Sequence, residues 1–241
     1  MLGAVRRVPG LWLARNTLRG EIEADLASHV GVIHKTLTSL LESAPLHVAP
    51  SHNLDEGLED KTDGAGAYRR VCLPDLGPDG ESVVAQVFAG YGSDTHTLTY
   101  FLGRKNIPVR IGDALIPMVE ALVKECGIAD EVSGDWRLSM NVYGEEDGDT
   151  CSAADEEEVK EDDASSFGWH KDIAANGDFT AITSLAGVGA IEFRSPQGEV
   201  VGVELDPGSV LIASGPARWE WDHRVASTSP GRLSLVLGGR I

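Results

Sequence analysis

The chain has 241 residues, 42% of them hydrophobic, which is enough for one domain with its own core. A formal charge of −18 excludes the global positive field of a non-specific nucleic-acid binder, while leaving room for a local basic patch. The three cysteines, Cys72, Cys126 and Cys151, have no metal-type spacing and are too few for a disulfide framework, and no apolar run is long enough to span a bilayer. A reducing, intracellular setting in cytoplasm or nucleus fits these facts.

Residues 1–20 carry Arg6, Arg7, Arg15 and Arg19 and no acidic residue. That composition reads as a targeting or flexible N-terminus, mitochondrial in flavour, although Ser is absent there. Residues 21–241 read as a single domain. From Gly20 to Glu42, Ile22, Leu26, Val30, Ile33, Leu37, Leu40 and Leu41 recur at three- and four-residue steps. This predicts an amphipathic helix, stopped by Pro45 and Pro50. Ser51 to Gly66 is polar and reads as a loop. Short strands are predicted at Tyr68–Leu73 and Val83–Phe88. Next, Tyr100 and Phe101 are followed by Arg104 and Lys105. Rings followed by bases suit stacking on a nucleotide and neutralising phosphate, and equally a strand ending in a solvated turn. Ile111 to Cys126 is a second helix, with Leu115, Met118, Val119, Leu122 and Val123 on its apolar face and Gly127 as C-cap.

From Trp136 onward the period is two. Leu138, Met140 and Val142 alternate with Ser139, Asn141 and Tyr143. Further strands are predicted at Phe167–Ile173, Phe179–Leu185, Ala190–Arg194, Val200–Leu205, Ser209–Ala213, Arg218–Val225 and Arg232–Leu237. Between Tyr143 and Phe167 lies a run from Glu145 to Asp163 with eleven acidic residues and one Lys. It lacks the apolar content to fold, so 145–166 reads as a disordered insertion. Short strands at regular spacing, with helices confined to the first half, give an α+β, mainly β fold. The predicted architecture is a double-stranded β-helix (jelly roll) braced by N-terminal helices.

The chemistry gathers in the β half. His170 and Asp172 stand two apart, which on a strand puts an imidazole and a carboxylate on one face. With His223 they complete the two-His, one-carboxylate set that holds non-haem Fe(II). If Arg218–Val225 is a strand, Trp219, Trp221, His223 and Val225 share a dry face, where a histidine needs a partner. Three protein ligands leave positions open for a 2-oxoacid chelate and O₂. Arg232 and Ser234 face inward on the last strand. A guanidinium there needs an anion: either a ligand carboxylate, which it grips in two-point fashion, or a protein acid such as Glu192. Asn141 and Tyr143 face the same space.

These residues together resemble the AlkB-type Fe(II)/2-oxoglutarate dioxygenases. The resemblance runs from about Tyr68 to the C-terminus. It rests on Asn141-Val142-Tyr143, His170-Lys171-Asp172, Pro207-Gly208-Ser209, Ser214-Gly215-Pro216-Ala217-Arg218, His223 and Arg232-Leu233-Ser234. It implies iron at His170, Asp172 and His223, and 2-oxoglutarate at Asn141, Tyr143, Arg232 and Ser234. It also implies oxidative demethylation of N-alkylated nucleic acid, with 2-oxoglutarate converted to succinate at the expense of O₂. Substrate binding is then expected at Tyr100, Arg104 and Lys105, with the segment as far as Arg110 lying over the iron. The family's second arginine, six positions after the first, is here Gly238, with Arg240 two further on. The second acidic residue found near the flipped base in many of the nucleic-acid demethylases is here Ala174. The acidity of the chain and Ala174 favour the alternative, a hydroxylase or demethylase of a protein or small molecule on the same scaffold. A third reading is a jelly-roll binding module without catalysis, against which the complete triad and the inward Arg232 both speak.

Overall fold

The computed structural model describes residues 2–18, 20–41, 46–48, 67–73, 83–89, 98–102, 107–143, 167–172, 174–229 and 231–241. The loop from Ser51 to Gly66, the acidic segment 145–166, and Arg104 and Lys105 fall outside them.

The first strands are β1 (Leu2–Ala4) and β2 (Leu11–Ala14), followed by helix α1 (Glu21–Leu41). Then come β3 (Leu46–Val48), β4 (Ala67–Leu73), β5 (Val83–Ala89), β6 (Leu98–Leu102) and α2 (Val109–Glu125). The second half holds β7 (Ser133–Val142), β8 (Phe167–His170), β9 (Phe179–Ala186), β10 (Gly189–Arg194), β11 (Val200–Leu205) and β12 (Val210–Ser214). It closes with a short helix α3 (Gly215–Trp219), β13 (Asp222–Thr228) and β14 (Leu233–Arg240). Ten strands form one sheet in the order β1-β2-β12-β9-β14-β7-β6-β5-β4-β3, and four form a second in the order β11-β10-β13-β8. This is a double-stranded β-helix with the helices on the outside of the larger sheet.

The sequence period explains the layers. Leu26, Val30, Ile33 and Leu37 of α1 are buried together with Ile111, Leu115, Val119 and Val123 of α2. They share a core with Leu138, Met140, Leu235 and Leu237, the outer face of the large sheet. The alternate face looks at the small sheet. There Ile182, Leu211 and Ala213 pack against Ile191, Phe193, Val203 and Leu205. The C-cap of α2 is Cys126, one residue before the expected Gly127, which follows with a left-handed φ of 67° and donates to the Lys124 carbonyl at 3.0 Å. No helix among the described residues is long and apolar enough to cross a membrane.

Three readings of the sequence change. Residues 2–14, expected to stand apart as a flexible or targeting stretch, form a hairpin whose second strand pairs with β12. Val8, Leu11 and Ala14 are buried there, because the hairpin covers an otherwise open sheet edge. Arg218–Val225 is not one strand. Pro216 sits at the start of α3, where its missing N–H costs nothing, and β13 begins only at Asp222. Trp219 is consequently 44% exposed rather than on the dry face with Trp221, which is 6% exposed. Finally, β8 stops at His170, so Asp172 lies beyond the ladder.

Gly238, on the inward face of β14, marks a close approach. A Cβ there would collide with the backbone carbonyl of Asn176. Gly238→Ala should therefore destabilise the protein by about 1–3 kcal/mol, the usual cost of overpacking, read as a lower urea midpoint with an unchanged slope. An unchanged midpoint would show that the turn yields freely.

Candidate metal and anion site

His223 is brought to His170 by the ladder itself: the two are cross-strand partners in the β13–β8 pair, and Phe193 is the partner of His223 on the other side. The imidazole centroids of His170 and His223 stand 4.2 Å apart, and Phe193 stacks on His223 at 5.6 Å. Asp172 arrives differently. It follows the end of β8, and its carboxylate accepts a hydrogen bond from Thr180 on β9. Its main-chain oxygen accepts one from Arg218 Nη1 at 2.7 Å. His223 Nε2 ends 3.9 Å from Asp172 Oδ1. The ligating atoms of His170, Asp172 and His223 all lie within 4.8 Å of one another. Bonds of about 2.0–2.2 Å to one ion would draw these atoms closer together, and two imidazoles with one carboxylate are a donor set that suits a first-row metal.

The surroundings set the protonation state. Burial first, then His170 and Arg218, push the His223 imidazole down to about 4, against the pull of Asp172 and Asp222. Burial pushes the Asp172 carboxyl upward, but His223, His170, Arg218 and the Thr180 hydrogen bond outweigh it, and the net direction is downward. Near neutral pH His223 is thus neutral and Asp172 ionised, the states that bind a metal cation.

A second polar centre lies along the same interior. Arg232 is fully buried, and none of its three guanidinium nitrogens has a hydrogen-bond partner among the described residues. Glu192, the protein acid expected as its alternative partner, is taken by Arg224 at 2.7 Å on the outside of the small sheet. The guanidinium lies over the Tyr143 ring at 4.8 Å. It also fills the space beside Gly189, where a Cβ would collide with its Nε. Asn141 and Ser234 are register partners, both buried, and the Tyr143 N–H donates to the Arg232 carbonyl at 3.0 Å. Gly189 and Phe193 lie on β10 four residues apart, roughly 13 Å along a strand. The guanidinium beside Gly189 and the His223 ring on Phe193 thus flank one stretch of interior.

The expected substrate segment is only partly in view. Tyr100 is on β6 in register with Met140. Arg110 contradicts the expectation that this segment covers the metal. It sits at the start of α2 and pairs with Asp25 of α1 at 3.7 Å, in the helical layer outside the large sheet. Helix formation turns it away from the interior. Reading the sequence also passed over Thr180 and Gly189, and it placed Arg218 on the outer face of a strand. Thr180, Ile182 and Ser184 alternate along β9, so a polar inward lane was available as a signal. For Gly189 there was none.

No protein-family model matches the chain, and no curated protein matches its sequence. Solved structures do. The fold comes first: a double-stranded β-helix shared with solved prolyl hydroxylases, here with a His–Asp–His cluster whose ligand atoms converge. In particular, the chain is similar to a Pseudomonas putida prolyl-4-hydroxylase, at TM-score 0.50 and 11% identity over 96% of this chain and 92% of that one. It is equally similar to a Trichoplax adhaerens prolyl hydroxylase in complex with a hypoxia inducible factor oxygen degradation domain peptide fragment, at TM-score 0.50 and 11% identity, covering 95% and 83%. OsALKBH1 aligns at TM-score 0.49 and 16% identity, covering 95% and 98%.

Because the folded value of His223 lies below its ordinary 6.5, the stability it confers is full above that pH and is lost as pH falls toward about 4. The metal-free protein should melt at progressively lower temperature between pH 6.5 and 4, and His223→Gln should flatten that window. Parallel pH profiles for the two proteins would refute the assignment.

Proposed function

We propose that the protein is an Fe(II)- and 2-oxoglutarate-dependent dioxygenase in which His170, Asp172 and His223 hold the iron and Arg232 anchors the co-substrate. The observation that carries this reading is the buried Arg232 guanidinium, without a partner among the described residues, inside the same sandwich as the triad. A buried cation costs several kcal/mol without a counter-charge, and the distal carboxylate of 2-oxoglutarate meets its fork geometry. Asn141, Tyr143 and Ser234 would hold the rest of the chelate, and Gly189 leaves room for the Arg232 guanidinium. Iron, when bound, supplies the coupling of O₂ to decarboxylation of 2-oxoglutarate and oxidation of a substrate C–H bond. The chain contributes ligands in the right charge state, a wall of Phe193 against His223, and a fixed anion anchor.

The motif order supports an N-alkylated nucleic acid as substrate, demethylated with release of formaldehyde. A second reading, oxidation of a protein side chain, is favoured by a specific set of contacts. Of the basic groups flanking the triad, Lys171 and Arg194 pair with Asp222, at 3.7 and 2.9 Å, and Arg224 pairs with Glu192. These ion pairs, and Arg110 turned to the helices, leave less positive charge for a phosphate backbone. The two prolyl hydroxylases named above have the same fold.

Succinate formation from 2-oxoglutarate with a panel of methylated DNA, RNA and peptides tests the substrate. A nucleic-acid substrate gives turnover that falls with salt, and a peptide gives turnover nearly indifferent to it. For the anchor, Arg232→Met keeps bulk and removes the fork. It should weaken 2-oxoglutarate binding by about 2–5 kcal/mol, measured by calorimetry with Mn(II) in place of iron. Wild-type affinity in that variant removes Arg232 from the co-substrate site.

A further inference from the structure

Arg218 is 3% exposed and lies on α3, 46 residues from the turn it contacts. Its Nη1 donates to the main-chain oxygen of Asp172 at 2.7 Å. Its guanidinium carbon sits 4.4 Å over the Trp219 ring, which is exposed on its other side. Asp172 has no ladder to hold it, because β8 ends at His170. It is held instead at two points from two other elements: the carboxylate by Thr180 of β9 and the carbonyl by Arg218 of α3. One tether alone leaves the residue free to pivot about the other. With both, the direction of the carboxylate is fixed relative to the two histidines.

The helix carrying Arg218 is itself pinned. The Ser214 N–H, at the start of α3, donates to the Gly10 carbonyl at 2.8 Å, and the Ala217 N–H donates to the Pro9 carbonyl at 2.9 Å. A Cβ at Gly10 would collide with the Ser214 carbonyl. The N-terminal hairpin thus braces α3, α3 presents Arg218, and Arg218 holds Asp172.

We propose that Arg218 is a positioning residue that aims the Asp172 carboxylate at the metal, with the stacked Trp219 ring keeping its guanidinium in place. This rests on the reading of Asp172 as a metal ligand. Losing an outer partner of a metal ligand typically costs 10- to 100-fold in affinity. The test is Co(II) titration of the metal-stripped full chain, followed by d–d absorption, for the wild type, Arg218→Gln, Arg218→Lys, Trp219→Ala and Asp172→Ala. The expected result is an Arg218→Gln variant that folds by circular dichroism and binds Co(II) about 10- to 100-fold more weakly. Arg218→Lys, which keeps a charged donor, should restore most of that loss. A merely structural role would lower the melting temperature and leave the affinity of the folded protein unchanged. If Asp172→Ala loses Co(II) while folded Arg218→Gln keeps wild-type affinity, the positioning role is overturned and the metal reading stands. If Asp172→Ala binds as the wild type does, the metal reading fails and takes this inference with it. Should Arg218→Gln not fold, Trp219→Ala decides, since its ring is at the surface: weaker Co(II) binding than the wild type supports the role, and wild-type affinity overturns it.

Discussion

The interior of this sandwich has to accommodate a cation that nothing in the described protein neutralises. Arg232 enters between the sheets at the start of β14 with its guanidinium dry and unbonded. A fold assembled only for stability would replace such a group by an apolar one of similar volume. Here the neighbourhood is shaped to keep it. Gly189 has no side chain where one would strike the guanidinium, and Tyr143 offers a ring face. Ile182, Leu211, Ile191 and Phe193 close the apolar part of the same interior. The sandwich is therefore divided along its length into a sealed apolar part and a part that presents charge.

The two ends of that charged part are built by different means. The histidines are set by strand register, a geometry that the two-residue pleat enforces without further contacts. Asp172 is set by side chains reaching in from β9 and α3. Ligands fixed by a ladder are as rigid as the sheet. A ligand fixed by tethers is only as rigid as the elements that carry them. This gives the N-terminal hairpin a consequence beyond covering a sheet edge, because it bonds the helix that holds the tether.

Much of this was readable from the residues. Period-two alternation from Trp136 onward gave the strands, and three- and four-residue spacing gave α1 and α2, because both periods follow from backbone geometry alone. Their inward faces were right for Ser139 and Asn141, which lie opposite the helix-packed Leu138 and Met140. The alternation argument for Asp172 was less sound: its approach to His170 comes through a turn, not a shared strand face. The run from Arg218 to Val225 misled for a related reason. Large residues at every second position imitate a strand, while Gly215-Pro216 favours a helical start, and the local backbone preference won. The hairpin at residues 2–14 was hidden because its partner strand lies some two hundred residues away, and arginine content said nothing about pairing.

The position of the second family arginine closes the argument about the anion end. On β14 it is occupied by Gly238, and the Asn176 carbonyl leaves no space there even for a methyl group. Arg240 does not replace it, since it lies at the end of the strand with its Nε 3.5 Å from Asp135, half exposed. The residue facing Gly238 across the ladder is Arg137 of β7. The backbone beside the Asp172 turn thus packs directly against β14, and a side chain at position 238 cannot coexist with it. What β14 offers to an anion is Arg232, two residues before Ser234, at the opposite end of the strand from the Asn176 turn.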